Sequence, residues 1–590
     1  MAETTEALPT PTLEEIQHWT WVVGRAQQMM MEHAAKQMQA VAEDTISKPM
    51  LPVGLWPMAP VFADPAEFAQ TQVELWNEGL AIWQRAFGLR DEPTAIEEKA
   101  NKDRRFDAVE WRDNPLFDVI RQTYLAISER LLGGVDAIEG INDSQRERLR
   151  FLTQSFVDAM SPSNFALTNP EVLKRTLETR GENLLKGLEH MLHDISHGQL
   201  TQTDPNAFEV GRNVATTPGK VVHRSPLYEV VQYSPATDQV LATPLVIFPP
   251  WINRFYILDL NPKKSFIRWA VEQGLTVFIV SWKSADASLA GTVLDDYVRA
   301  MTDTIDLVRD LLDVEQVHTL GYCVAGSTLA AALALLEARG EADRVASATF
   351  LTAQVDFTGA GDLAFFIDDA HMQLIEQLSA ESGFLDGRYM AATFNMLRGR
   401  DLIWNYVTNN YLLGEDYVPF DLLFWNSDTT NLPTKWLNAY LRDFYRDNKL
   451  TQPGAITVDG TPITLRNVKT PAYVQAGRED HIAPAGSVWR ITHLFQGPMR
   501  FVLAGSGHIA GVINPPDAHK YQYWINERKV DTLDEFLAGA TETQGSWWPD
   551  WLAWIEQQSA GKVRAKGGRI PGKGKLKAIE DAPGSYVRTH

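Results

Sequence analysis

One cysteine occurs in 590 residues, so no disulfide can form within the chain, a usage that suits a reducing compartment. No apolar run approaches the roughly 18–20 residues that span a bilayer. The richest, TLAAALALLEARG at 328–340, is interrupted by Glu337. The start, MAETTEALPTPTLEE, is acidic and polar and lacks the pattern of a secretory signal. Positive charge is also scarce: 54 Lys and Arg face 75 Asp and Glu, a net charge of −21 that argues against a nucleic-acid partner. No fixed-period repeat, phosphate-binding glycine loop or His/Cys/carboxylate cluster of metal-ligand type is present. These absences predict a cytoplasmic protein with no transmembrane segment, no metal and no nucleic-acid partner.

The hydrophobic share of 45% and charged share of 22% are ordinary for a globular chain, and the length allows two or three domains. Apolar residues recur at helical spacing over 12–45, where a methionine cluster at 29–31 is expected to pack on its own domain. Further helical patterns include PLFDVIRQTYLAISERLLGGVDAI (115–138) and NPEVLKRTLETRGENLLKGLEHMLHDI (169–195). Residues 1–200 therefore read as a helical N-terminal domain. Beyond them, apolar runs such as PLVIFPP, LTVFIVSW, VHTLGY, VASATFLT, PAYVQAG and MRFVLAG alternate with helical stretches. That alternation predicts an α/β domain over 201–590 with a parallel sheet buried on both faces. Between about 355 and 465 the alternation breaks into aromatic-rich helical sequence, expected as a cap over the carboxyl ends of the strands. The segment 561–590 is Gly/Lys-rich and poor in apolar residues; solvated disorder is expected, with an anionic contact as the alternative.

The lone Cys323 lies in HTLGYCVAGS, between a strand pattern and the helical VAGSTLAAALALLEAR. A nucleophile flanked by small residues at a strand–turn–helix junction is the elbow of α/β hydrolases, so a capped α/β-hydrolase-like domain is expected. The turn forces strained backbone angles on the nucleophile and leaves space only for tiny neighbours, here Gly321, Ala325 and Gly326. A helix N-terminus behind the sulfur favours thiolate. In this fold the acid and the histidine follow on loops after later strands. Asp480 follows PAYVQAG and His508 follows RFVLAG, which makes them the candidate acid and base. Asp356, after the strand at 345–353, is a rival acid. His481 is too close to Asp480 in sequence to be its imidazole partner, and His493 and His519 follow no strand. The oxyanion hole is expected from the backbone N–H of Val324 and of Ile252, the latter just after the strand ending at Pro249-Pro250. A thiolate exchanging with a thioester keeps the acyl group energetic enough to acylate an alcohol. Sulfur here thus points to acyl transfer from a thioester, although cysteine hydrolases also exist on this fold.

The elbow, IVSWKSAD (279–286), FDLLFWNSDTTNLP (420–433), GREDHIAP (477–484) and SGHIAGVINPP (506–516) together resemble class I polyhydroxyalkanoate synthases. RRFDAVEWRDNPLFDVIRQTYL, MSPSNFALTNPEVLK and APGSYV extend the likeness from about residue 100 to the end; Ala325 departs from the family's usual glycine. The resemblance implies polymerisation of (R)-3-hydroxyacyl-CoA, of short chain such as 3-hydroxybutyryl-CoA, into polyester with release of CoA. Cys323 would carry the acyl group, His508 would take its proton, and Asp480 would orient the imidazole or help to activate the substrate's 3-hydroxyl. It implies no cofactor beyond the CoA thioester itself, a homodimer, and attachment to cytoplasmic polymer granules. A cysteine hydrolase of polyesters or thioesters is the alternative enzyme, and a non-catalytic granule-coat protein the more distant one.

Overall fold

Asn-Pro pairs begin two of the N-terminal helices. Proline fits the first helical position, where its missing N–H costs nothing, and the preceding asparagine caps the free amides. In the computed structural model, which describes residues 95–590 and, before them, 18, 21, 22, 25–32, 81, 82 and 84, Asn114 caps α1 (Pro115–Ala137) and Asn169 caps α3 (Pro170–Glu178). Between them α2 (Asp143–Ala159) opens with a reciprocal Asn142–Gln145 capping box. The following α4 (Glu182–His197) ends at Gly198 in the left-handed conformation. Of the helix expected over 12–45, residues 18, 21, 22 and 25–32 are helical and the remainder lies outside the described residues. Met30 and Met31 are exposed there instead of packing inward.

These helices form one unit with residues Ala392–Val418, which therefore group apart from the rest of the stretch expected as a cap. Polar bonds explain the grouping. Tyr411 donates its hydroxyl to Asp194 at 2.6 Å, Asn183 Nδ2 donates to the Leu412 carbonyl at 2.7 Å, and Gln202 Nε2 to the Leu402 carbonyl at 2.6 Å. Gly187 on α4 is required by the same approach, since a Cβ there would lie 1.7 Å from the Tyr411 carbonyl oxygen. Arg400 joins Asp158, which also pairs with Arg105.

The second unit, Pro205–Ala391 with Pro419–His590, is built on an eleven-stranded sheet. In chain order its strands are β1 Gly219–Arg224, β2 Tyr228–Tyr233, β3 Leu245–Phe248, β4 Val277–Trp282, β5 Val317–Tyr322, β6 Val345–Leu351, β7 Ala472–Gly477, β8 Met499–Ala504, β9 Gln522–Ile525, β10 Thr541–Gln544 and β11 Glu580–Asp581. Across the sheet they run β10-β9-β8-β7-β6-β5-β3-β4-β2-β1-β11. Neighbours from β8 to β4 pair in parallel, and the strands outside them pair antiparallel. Every residue of β4 is buried. Its side chains alternate between two cores, with Val277 and Ile279 in one and Phe278 and Val280 in the other. Helices α5 (Leu294–Leu312) and α6 (Val324–Arg339) pack on the sheet. Val324 through Leu336 are buried all round, which is why that stretch reads as continuously apolar. Among the described residues no helix is long and apolar enough to cross a membrane.

The segment 561–590 is ordered, contrary to the expectation of solvated disorder. Lys562–Arg564 pairs with Gln239–Leu241, and β11 adds an edge strand beside β1. Arg569 is buried, donating to the carbonyls of Leu241 and Ala242 and to Thr276 Oγ1. Buried Glu229 accepts from the Tyr586 N–H and from Arg224, which also pairs with Glu580. Main-chain pairing and satisfied cations thus order a segment that has few apolar side chains to bury.

Candidate active site

The carboxyl ends of the parallel strands gather the candidate residues. Ile252 follows β3, Cys323 follows β5, Asp356 follows β6, Asp480 follows β7 and His508 follows β8. Loops at this edge of a parallel sheet are where open α/β folds place their reacting groups.

Cys323 occupies the turn between β5 and α6, at φ 53° and ψ −126°, a region that few non-glycine residues adopt. Its N–H donates to the Leu351 carbonyl at 3.0 Å, tying the strained residue to β6. The small neighbours are obligatory. A Cβ on Gly321 would fall 2.6 Å from Gly326 Cα, and one on Gly326 would fall 2.3 Å from Ala353 Cβ. Ala325 is fully buried, so the elbow accommodates its methyl group. The thiol thus sits at the N-cap of a long buried helix and remains partly accessible.

His508 and Asp480 meet behind it. His508 Nδ1 lies 2.7 Å from Asp480 Oδ2, and the carboxylate is wholly buried. Asp480 Oδ1 accepts the backbone N–H groups of Ile482 and Ala483, each at 2.9 Å, so both carboxylate oxygens are engaged. The Tyr322 hydroxyl donates to the His508 carbonyl at 3.0 Å, holding the histidine loop against β5. Burial pulls the His508 pKa down, but the Asp480 carboxylate and the Cys323 sulfur outweigh it through charge and hydrogen bonding, lifting it to about 10. The imidazole is therefore bonded to a buried acid and lies within electrostatic reach of the sulfur, an arrangement suited to moving a proton to and from sulfur.

The other titratable candidates are used elsewhere. Asp356 accepts from Thr358, Asn448 Nδ2 and Arg490 and bonds no imidazole. Burial would raise its pKa, but those donors lower it below the ordinary carboxylate value. His493 Nε2 bonds the Asp531 carbonyl, and His519 closes a short turn in the left-handed conformation. His481 stands on the turn just after Asp480, its carbonyl accepting from the Asp362 N–H. Val324 begins α6, and Ile252 lies in the loop after β3; among the described residues neither backbone N–H meets an acceptor.

The aromatics of the cap are expected to line an acyl channel or to pack the cap onto the sheet, and four of the residues there and nearby form one cluster. Phe357, Tyr440, Phe444 and Tyr445 pack on one another, with ring centroids 4.7 Å apart for Phe357–Tyr445 and 5.2 Å for Tyr440–Phe444. Burial drives the phenol pKa of Tyr440 and Tyr445 up, and the Cys323 sulfur adds to it, so both stay protonated. Tyr445 lies on a π-helical turn, Leu441–Arg446, a distortion often found at functional sites. The visible signal was the aromatic density of residues 420–445.

Comparison with known proteins fits this geometry. Residues 102–270 match the family model for the poly-beta-hydroxybutyrate polymerase (PhaC) N-terminus, and residues 243–515 match that for the alpha/beta hydrolase fold. The poly(3-hydroxyalkanoate) polymerase subunit PhaC of Rhizobium etli is 43% identical over 537 residues, covering 89% of this chain and 84% of the relative. The corresponding subunit of Cupriavidus necator is 44% identical over 541 residues, covering 91% and 90%. Poly(3-hydroxyalkanoate) polymerase 2 of Ectopseudomonas oleovorans is 38% identical over 490 residues, covering 83% and 87%. Similarity of this extent, spanning the elbow and both of its partners, shows that the chain belongs to the poly(3-hydroxyalkanoate) polymerase family, acyltransferases built on the α/β-hydrolase fold.

Proposed function

We propose that this chain polymerises (R)-3-hydroxyacyl groups, of short chain such as 3-hydroxybutyryl, from their CoA thioesters through a covalent thioester on Cys323. The observation that carries the reading is the His508–Asp480 pair, within electrostatic reach of the strained elbow that holds the sole cysteine of a polymerase-family chain. The Cys323 sulfur, its proton already resting on His508, whose pKa of about 10 keeps it there, attacks the acyl carbonyl. The oxyanion is stabilised by the N–H groups of Val324 and Ile252. CoA thiolate leaves and takes the proton from the imidazolium. The 3-hydroxyl of a second unit then gives its proton to His508 and attacks the enzyme thioester, forming an oxoester and freeing the thiolate. Asp480 orients the imidazole in both steps: its two oxygens are already engaged by His508 and by two backbone amides, which supports this role over contact with the substrate hydroxyl. The aromatic wall supports transfer to an alcohol over hydrolysis, because it shields the acyl-enzyme from water. A homodimer acting at the surface of cytoplasmic polymer granules completes the proposal, on the strength of the family likeness.

The test is incubation of purified protein with (R)-3-hydroxybutyryl-CoA while free CoA and precipitable polymer are followed together. The expected result is CoA release matched by polymer. Release of free hydroxybutyrate without polymer identifies a hydrolase instead.

A further inference from the structure

The loop leaving β3 has little of its own with which to hold a backbone donor steady. Pro249 and Pro250 lack N–H groups, so the peptide planes that follow are set by other parts of the chain. Residues 425–430 supply the hold. Thr430 Oγ1 lies 2.8 Å from the Trp251 carbonyl oxygen and 2.6 Å from that of Ile252. Trp425 Nε1 donates to the Arg254 carbonyl at 2.8 Å, and Asn253 bridges Thr429. A trans peptide carries its C=O and N–H on opposite edges. Holding the Trp251 carbonyl toward Thr430 therefore sets the direction of the Ile252 N–H.

Arg254 closes this arrangement from the side-chain end. It is 3% exposed, and its Nε donates to Asp428 Oδ1 at 2.9 Å. Nη2 donates to the Thr429 carbonyl at 3.0 Å and to the Thr589 carbonyl at 2.7 Å, and lies 3.0 Å from His590 Nδ1. Asp428 Oδ2 accepts the Tyr256 hydroxyl at 2.7 Å, so the carboxylate is braced on both sides. The last two residues of the chain are thus bonded to the same guanidinium that anchors the loop after β3.

We propose that Arg254 is a positioning residue: tied to Asp428 and to the C-terminal Thr589–His590, it holds the loop at 251–254 so that the Ile252 N–H faces the oxyanion formed when Cys323 is acylated. The proposal rests on the polymerase reading only for the place of that oxyanion. It makes the C-terminal dipeptide, remote from the thiol in sequence, a support for the acylation step.

The experiment compares wild type with three full-length or nearly full-length variants: Thr430→Val, Arg254→Lys and a deletion of Thr589–His590. Each is acylated with 3-hydroxybutyryl-CoA and, separately, with p-nitrophenyl acetate, and Cys323 is alkylated with iodoacetamide. Acylation passes through an oxyanion; alkylation does not. Acylation is expected to slow about 10-fold in the deletion and up to about 100-fold in the two substitutions, as kcat losses at unchanged KM. Alkylation should stay within about twofold of wild type. Undiminished acylation in the deletion and in Thr430→Val overturns the proposal, as does alkylation that falls in parallel with acylation. Wild type that accepts p-nitrophenyl acetate but not the CoA thioester overturns the polymerase reading and leaves the clamp to be judged on the ester. Wild type acylated by neither donor overturns both.

Discussion

The elbow at 321–326 and the loop at 249–254 leave adjacent strands, β5 and β3, yet they are held in opposite ways. The elbow holds itself. Gly321 and Gly326 press together too closely for any Cβ, and the helix that follows begins one residue after Cys323. The loop is held from afar, by Trp425 and Thr430 more than 170 positions away and by Thr589 at a separation of 335. A site built by local steric exclusion reads as a motif. One built by long-range hydrogen bonds reads as ordinary residues scattered along the chain.

The sharpest break of the local half is Cys323→Ala, which should abolish CoA release while leaving the melting temperature unchanged; retained release contradicts the covalent role. Its partner follows: His508→Gln should slow acylation by about 10²–10⁴-fold, and His481→Gln by much less. The reverse order in stopped-flow CoA release would move the base to His481. Next comes the elbow's packing. Gly326→Ala places a Cβ 2.3 Å from Ala353 Cβ and should destabilise the fold by about 1–3 kcal/mol in denaturant titrations, with acylation lost as well. An unchanged unfolding midpoint would mean that the backbone there yields easily.

The last effect is a dependence of stability on pH. His508 is lifted from the ordinary 6.5 to about 10, so the folded chain binds that proton more tightly than the unfolded chain. This contribution is fully present below about pH 6.5 and is lost as pH rises through about 10. Asp480→Asn removes the carboxylate responsible for much of the lift. Urea unfolding across that range should therefore show a flatter decline in the variant, and an equally steep one would assign the effect to another group.

Much of the site was legible because each candidate stands just after a continuous apolar strand: Cys323 after VHTLGY, Asp480 after PAYVQAG, His508 after MRFVLAG. Choosing between Asp480 and Asp356 required three dimensions. Both follow parallel strands, and only the hydrogen bonds show that Asp356 faces Asn448 and Arg490 while Asp480 faces the imidazole. Composition misled at 561–590, because few apolar residues suggested solvation while the backbone pairs with two strands. The aromatic run at 420–445 announced a buried surface without saying that Tyr445 would pack on Phe357.

By itself the sequence determined the order of strands and helices, the elbow and the place of Cys323 within it, since periodicity and steric exclusion act between near neighbours. Tertiary structure alone decided which carboxylate serves His508, the grouping of Ala392–Val418 with the N-terminal helices, and the bonding of the final two residues to Arg254. Those outcomes depend on hydrogen bonds between residues far apart in the chain, whose partners are chosen only when the fold brings buried polar groups together and leaves none of them water.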